Sequence, residues 1–125
     1  MTRKFAFMLA AVGLIAATAG SLLAQSAGPN GGLVQGSGGH QTELVISPTE
    51  LTVYLLENGK PHESKGTNMR AVIQQSGKTA TVNFVDQQGK KLVAKLPAPL
   101  DKGAIVVLSG KDHHGDQFNA RYVIK

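Results

Sequence analysis

Histidines are the side chains of this 125-residue sequence best suited to chemistry at neutral pH, and there are four: His40, His62, His113 and His114. Imidazole binds copper, nickel and zinc, and the chain has no cysteine that could supply a thiolate ligand. Two of the histidines are adjacent, and an aspartate on either side of the pair could add oxygen ligands. The residues predicted to contact a metal ion are His40, Asp112, His113, His114 and Asp116.

The adjacent histidines are interpreted in two ways. On a strand, His113 and His114 would point to opposite faces and could not bind one ion together. Because Gly115 follows them, a hairpin turn is predicted, in which both rings face the same side. The alternative is a plain polar turn, since polar residues and a glycine suffice for a turn without any ligand. His62 follows Pro61 in another predicted turn and is expected to be solvated.

No pattern typical of a catalytic site is present. The serines lie in turns or in the glycine-rich segment, and the sequence lacks the Gly-x-Ser-x-Gly motif of a serine nucleophile. Nothing singles out a pair among the eight acidic residues for glycoside hydrolysis, and no glycine-rich loop opens a helix to hold phosphate. We therefore expect that the protein is not an enzyme.

Residues 1–26 have the layout of a secretory signal peptide. Two basic residues precede an apolar stretch from Phe5 to Leu23, and small residues follow it. Cleavage is predicted after Ser26, with Ala24 and Ala27 as alternatives. The apolar stretch is also just long enough for a permanent membrane anchor, but its alanine and glycine content and the cleavage-like site favour export. We expect a periplasmic or secreted protein that keeps no membrane anchor.

Cleavage would leave one small domain with a modest positive charge. Without Arg3 and Lys4, the 13 basic residues become 11 against 8 acidic ones, a net charge of +3. The basic residues are scattered and have no aromatic side chains between them, so binding to nucleic acid is not expected. Since the chain has no cysteine, packing alone must stabilise an exported domain of a size that often relies on disulfides.

Strand patterns dominate the rest of the chain. Residues 27–39 are rich in glycine, which predicts a flexible arm or a loosely docked first segment. Residues 40–125 alternate in polarity between turn signals such as Asn58-Gly59. About seven strands are predicted, near residues 43–46, 51–56, 68–75, 79–84, 92–96, 104–109 and 118–124. We predict an all-β domain, an immunoglobulin-like antiparallel β-sandwich, with a small open barrel as the alternative.

Several stretches carry a resemblance that covers nearly the whole mature chain. They are GPNGG at 28–32, LTVYLLENGKP at 51–61, SGKTATVNF at 76–84, KLVAKLPAPLDKGAIVVLSG at 91–110 and the closing NARYVI. Their order resembles a set of small exported bacterial proteins. It is also similar to the short β-domain at the start of some periplasmic adaptor subunits of heavy-metal efflux pumps. The resemblance implies binding or delivery of copper, nickel or zinc in the periplasm, with His40, His113 and His114 at positions where such sequences often have histidine.

Two functions remain open. The first is a periplasmic accessory protein that handles copper, nickel or zinc through its histidines. The second is an interaction module without a metal, in which a sheet edge or the glycine-rich segment docks on a periplasmic protein partner by strand addition. Ring nitrogens of His40 and of the turn histidines converging on one point would favour the first function, and rings that splay into solvent would favour the second.

Overall fold

The computed structural model describes residues 25–125, so the predicted signal peptide lies outside the described residues except for its last two positions. None of the described residues forms an apolar helix of membrane-spanning length. Eleven strands are present: β1 (Ser26–Ala27), β2 (Leu33–Ser37), β3 (His40–Ile46), β4 (Glu50–Glu57), β5 (Lys60–His62), β6 (Asn68–Gln75), β7 (Lys78–Asn83), β8 (Val85–Gln87), β9 (Lys91–Lys95), β10 (Ile105–Lys111) and β11 (Gln117–Val123).

The strands form two antiparallel sheets. The larger sheet has the order β1-β2-β3-β4-β9-β8. Strand β9 pairs with the first half of β4, and β5 pairs with the last three residues of β4. The smaller sheet has the order β11-β10-β6-β7. This architecture confirms the predicted all-β antiparallel sandwich. Each of the seven predicted strands corresponds to a long strand of the structure, and the sequence missed the four others, β1, β2, β5 and β8.

The core lies between the sheets and is filled by one face of each long strand. In β4, the alternating residues Leu51, Val53 and Leu55 are almost completely buried. The largest buried side chains, Tyr122 and Phe118, come from β11. The Tyr122 hydroxyl donates a hydrogen bond to the carbonyl oxygen of Thr42 at 2.7 Å. Because Thr42 belongs to β3, this bond ties the smaller sheet to the larger one.

Tight turns set the register of the strands. Asn58 and Gly59, which connect β4 to β5, have φ values of 53° and 81°. Positive φ at both central residues is the requirement of the hairpin turns that match the twist of antiparallel strands. The sequence predicted this turn correctly. It folds β5 back along β4 and thereby brings Glu57 and His62 to the same end of the sandwich.

The glycine-rich segment contributes strand β2 and the second residue of β1, so it is paired with the larger sheet. Strand β2 pairs with β3 from Leu33 opposite Leu44 to Ser37 opposite His40. Just before the segment, the Gln25 side chain accepts a hydrogen bond from the backbone N–H of Val123 at 2.8 Å, a contact that the predicted cleavage after Ser26 would remove. The folded domain therefore begins before the boundary predicted at His40.

Glu43 explains much of this order, because its buried carboxylate lies under the loop of residues 28–32. Oε2 accepts hydrogen bonds from the backbone N–H of Asn30 at 2.7 Å and of Gly32 at 2.8 Å, and Oε1 accepts one from Asn30 Nδ2 at 2.9 Å. Gly28 packs so closely against this carboxylate that a Cβ atom there would overlap it. At this position glycine serves close packing rather than flexibility.

Candidate metal centre

The four histidines of the chain lie at one end of the sandwich, and we call them the histidine cluster. His40 begins β3, His62 ends β5, and His113 and His114 lie in the turn between β10 and β11. Phe118, the second residue of β11, is fully buried beneath them. Its ring centroid lies 5.1 Å from that of His40 in an edge-on arrangement and 5.7 Å from that of His62 in a stacked one. Phe118 therefore forms the apolar floor of this end.

Three side chains of this end, His40, Glu57 and Asp116, have ligand atoms that converge, and we call them the ligand group. His40 Nε2 lies 3.6 Å from Glu57 Oε2 and 3.6 Å from Asp116 Oδ2. The three ligand atoms all lie within 4.8 Å of one another. Atoms that coordinate one ion tetrahedrally at about 2.1 Å are separated by about 3.4 Å. The spacing around His40 is therefore close to the spacing that a bound zinc-like ion requires.

Strand register accounts for this convergence. The pairing of β3 with β4 places His40 directly opposite Glu57. Side chains opposite each other in an antiparallel pair have Cβ atoms about 4.5 to 5.5 Å apart, close enough to share a ligand. Asp116 comes from the turn that immediately precedes β11, in the other sheet. The ligand group thus joins the two sheets, and its side chains are only partly exposed, His40 at 33 % and Asp116 at 43 %.

His62 is not solvated, so the sequence-based expectation for this residue was wrong. Its side chain is 12 % exposed, with Nε2 2.9 Å from Asp112 Oδ2 and Nδ1 3.2 Å from Glu57 Oε1. The reason is strand β5, which pairs His62 with Leu55 and turns the ring toward the site. Glu57 consequently contacts one histidine through each of its carboxylate oxygens.

Asp112, predicted as an oxygen ligand, holds the turn together. Its buried Oδ1 accepts hydrogen bonds from the backbone N–H groups of His114 at 2.9 Å and of Asp116 at 2.8 Å, while Oδ2 faces His62. Burial disfavours the charged carboxylate, but the Asp116 amide, the His62 ring and the His114 amide outweigh it, and the pKa of Asp112 is lowered. Since both oxygens already have partners, Asp112 positions Asp116 and His62.

His113 and His114 lie beside the ligand group and outside it. Their ring centroids are 3.9 Å apart, so both rings lie on one side of the turn, as the hairpin interpretation predicted. Both side chains are exposed, and their centroids lie 6.5 Å and 6.3 Å from that of His62. Gly66 supports the turn from below, because a Cβ atom there would come within 2.9 Å of His113 Cβ.

Of the predicted site residues, the structure brings His40 and Asp116 together in the ligand group. Glu57 was missed, because in the sequence it is one charged residue before a turn. A signal was available: pairing the first two predicted strands through the Ser47-Pro48 turn would have placed it opposite His40.

Comparisons with protein-family models, with curated proteins and with solved structures found no match to this chain. Support for the site therefore comes from its own geometry and from the chemistry of its donor atoms.

The lowered pKa of Asp112 predicts a pH-dependent contribution to stability. A carboxyl group whose pKa is depressed by folding stabilises the fold above its unfolded pKa of about 3.9, and the effect is lost as the pH falls through the folded pKa. We expect Asp112→Asn to lower the free energy of unfolding by about 1 to 2 kcal/mol at pH 7, through the loss of charge-assisted hydrogen bonds.

Urea unfolding in the presence of a chelator, at pH 7, 5 and 3, measures this difference. The difference in free energy of unfolding between Asp112→Asn and the unmodified protein should be constant from pH 7 to 5 and should decrease below about pH 4. Asp101→Asn, which alters an exposed aspartate, is the control and should differ little from the unmodified protein at any pH. A gap that is unchanged at pH 3 would show that the Asp112 charge does not stabilise the fold.

Proposed function

We propose that the protein binds a divalent copper, nickel or zinc ion at His40, Glu57 and Asp116, and that it acts as an exported accessory protein in metal handling. The observation that carries this proposal is the convergence of one imidazole nitrogen and two carboxylate oxygens, with both His40 distances at 3.6 Å. Small movements of these partly exposed side chains would bring all three to coordination distance.

The donor atoms suit a borderline divalent ion. Imidazole favours copper, nickel and zinc, while carboxylates add charge neutralisation. Cu(I) prefers thiolate or thioether sulfur, but the chain has no cysteine, and Met69 is buried in the core at 2 % exposure. Three protein ligands with an open side leave a coordination position for water or for a ligand from a partner. Such a site favours an ion that is exchanged over one that is permanently stored.

Residues around the ligand group would stabilise the bound state. Glu57 uses its second oxygen to contact His62, which in turn contacts the buried Asp112. Such a series of side-chain contacts fixes the orientation of a ligating carboxylate, and outer partners of metal ligands commonly contribute 10- to 100-fold to metal affinity. His113 and His114 lie exposed beside this chain, where an incoming ion would meet imidazole first.

Export and a role in metal handling are supported by the sequence. The first 26 residues have the layout of a signal peptide, and the stretches that follow resemble small exported proteins and the β-domain of some heavy-metal efflux adaptors. A periplasmic accessory protein that captures a divalent ion and passes it on would use a partly exposed, three-ligand site of this kind. The alternative, a metal-free interaction module, is the outcome if no ion binds.

Calorimetric titration of the purified protein with Zn(II), Ni(II) and Cu(II) tests the proposal. We expect one of these ions to bind with a dissociation constant near or below about 1 μM. His40→Ala and Glu57→Gln should each weaken that binding by at least about 100-fold, because loss of a direct ligand exceeds the effect of losing an outer partner. Glu50→Gln, on the same strand but at its other end, is the matched control and should bind normally.

The double variant His113→Ala/His114→Ala separates the ligand group from the exposed pair. We expect it to lose less than about tenfold in affinity, since neither residue is a direct ligand. Binding that survives His40→Ala but is abolished in the double variant would assign the ion to the turn histidines. An affinity weaker than about 0.1 mM for all three ions would refute the metal-binding function.

A further inference from the structure

The smaller sheet carries positive charge and no negative charge on its outer surface. Its four strands, β6, β7, β10 and β11, lie in the described part of the chain and contain no aspartate or glutamate, although the chain has eight acidic residues. Because alternate residues of each strand fill the core, the others face solvent. Exposed basic residues among them are Arg70, Lys111 and Arg121. We call this outward surface of the smaller sheet the basic face.

Amide and hydroxyl side chains surround Arg70 and Lys111, whereas Arg121 lies opposite Val107, beside Asn119 on its own strand. The strand pairing forms one row across the sheet, which consists of Asn119, Ser109, Arg70 and Asn83. The neighbouring row consists of Gln117, Lys111 and Asn68. Both rows line a shallow depression of about 460 Å³. Amides both donate and accept hydrogen bonds, and hydroxyl groups do the same, so this surface can pair with a ligand that is rich in hydroxyl groups.

The shape of the basic face favours a polymer over a small molecule. Sites for small ligands are usually concave and bury most of the ligand, whereas this depression lies open on the outside of a sheet. From standard strand and residue spacings, the Cα atoms of the three basic residues lie about 8 to 14 Å apart. A charged polymer lying along the sheet could contact all three at once and would gain affinity from their combined effect.

We propose that the basic face binds an anionic polysaccharide, with Arg70, Lys111 and Arg121 pairing with its carboxylate, sulfate or phosphate groups. The surrounding amides hydrogen-bond to sugar hydroxyls. Single-stranded nucleic acid would require aromatic side chains for base stacking, and the outward positions of the four strands hold none. A lipid surface would require apolar side chains that insert, and Val107 at 36 % exposure is the most exposed large apolar residue on this face. The proposal uses no residue of the ligand group and stands independently of metal binding.

Binding of the purified protein to heparin, a sulfated polysaccharide, tests this inference at about 0.1 M salt. A basic residue near an anionic surface contributes about 1 kcal/mol, so Arg70→Gln/Lys111→Gln/Arg121→Gln should weaken binding by about 100-fold. The matched control is Lys90→Gln/Lys95→Gln/Lys102→Gln, which removes three exposed cations outside the smaller sheet and gives the same net charge. It should keep the unmodified affinity to within about threefold.

A second variant tests recognition of the sugar itself. Asn83→Ala/Asn119→Ala leaves the charge unchanged and should weaken heparin binding by about tenfold through lost hydrogen bonds. An equal loss in both triple variants would overturn the inference, because net charge alone would then explain binding. Binding to phosphatidylglycerol vesicles without binding to heparin would assign the face to a lipid surface instead. Binding to neither probe would also overturn it.

Discussion

Replacing Phe118 with alanine is expected to lower the free energy of unfolding by about 3 to 5 kcal/mol and to weaken the proposed metal binding. Phe118 is fully buried, and its removal would leave a cavity between the sheets. The same ring packs against His40 and His62, with centroids at 5.1 Å and 5.7 Å. Truncation therefore removes the floor that fixes both imidazoles, and we expect about tenfold weaker binding of the ion.

The matched control is Phe84→Ala, which truncates another phenylalanine of the same core. Phe84 follows β7, at the opposite edge of the smaller sheet from β11. Urea unfolding should show a comparable loss of stability in both variants, while calorimetry should show weaker metal binding only for Phe118→Ala. Because a loss of this size can unfold a small domain, Phe118→Leu is the fallback: it should stay folded and still bind the ion less tightly. Equal metal affinities of the Phe118 and Phe84 variants would show that the floor does not position the site.

Local pattern was sufficient to predict the long strands. Alternating segments such as Ala80, Val82 and Phe84 have the period of two that a half-buried strand requires, and the Asn58-Gly59 pair has the positive φ values of a tight hairpin. Strands β5 and β8 are three residues each and too short to show a period. Strand β5 also contains Pro61, which ordinarily argues against a strand and is tolerated at an edge.

The candidate site depends on contacts that no local pattern contains. His40 and Asp116 were predicted from residue type alone, since imidazole and carboxylate are the ligands that a chain without cysteine can offer. Glu57 lies next to His40 because β3 pairs with β4, although the two residues are 17 positions apart in the chain. His62 reaches the site through β5, a strand that the sequence did not predict. Nor does the sequence show that Asp112 accepts the backbone N–H groups of the turn, while the Asp116 carboxylate faces His40.

The glycine-rich segment shows how composition can mislead. Low hydrophobicity and many glycines predict a chain that gains too little from burial to become ordered. The structure compensates with polar contacts to one buried residue, Glu43, in place of apolar burial. In β3 the residues Thr42, Glu43 and Leu44 are all buried, a break in the alternation that arises because the segment covers the second face of the strand.

Glu43→Ala is therefore expected to lower the free energy of unfolding by about 3 kcal/mol, although it removes a charge that is costly to bury. The variant leaves the N–H of buried Gly32 and the two donors of Asn30 without their acceptor, and an unpaired buried donor costs about 1 to 3 kcal/mol. Glu43→Gln keeps an oxygen for the backbone donors and should lose only about 1 to 2 kcal/mol. Glu63→Ala, at an exposed acidic residue, is the control and should change stability by less than about 0.5 kcal/mol.

Hydrogen exchange of the backbone amides distinguishes loss of this anchor from a general loss of stability. In Glu43→Ala the amides of Asn30, Gly32 and strand β2 should exchange faster than the global free energy of unfolding requires, since the loop opens locally. Amides in the centre of the smaller sheet should exchange faster only in proportion to the global loss of stability. If Glu43→Ala costs less than about 0.5 kcal/mol and exchange over residues 28–37 is already fast in the unmodified protein, the segment behaves as the flexible arm that its composition predicts.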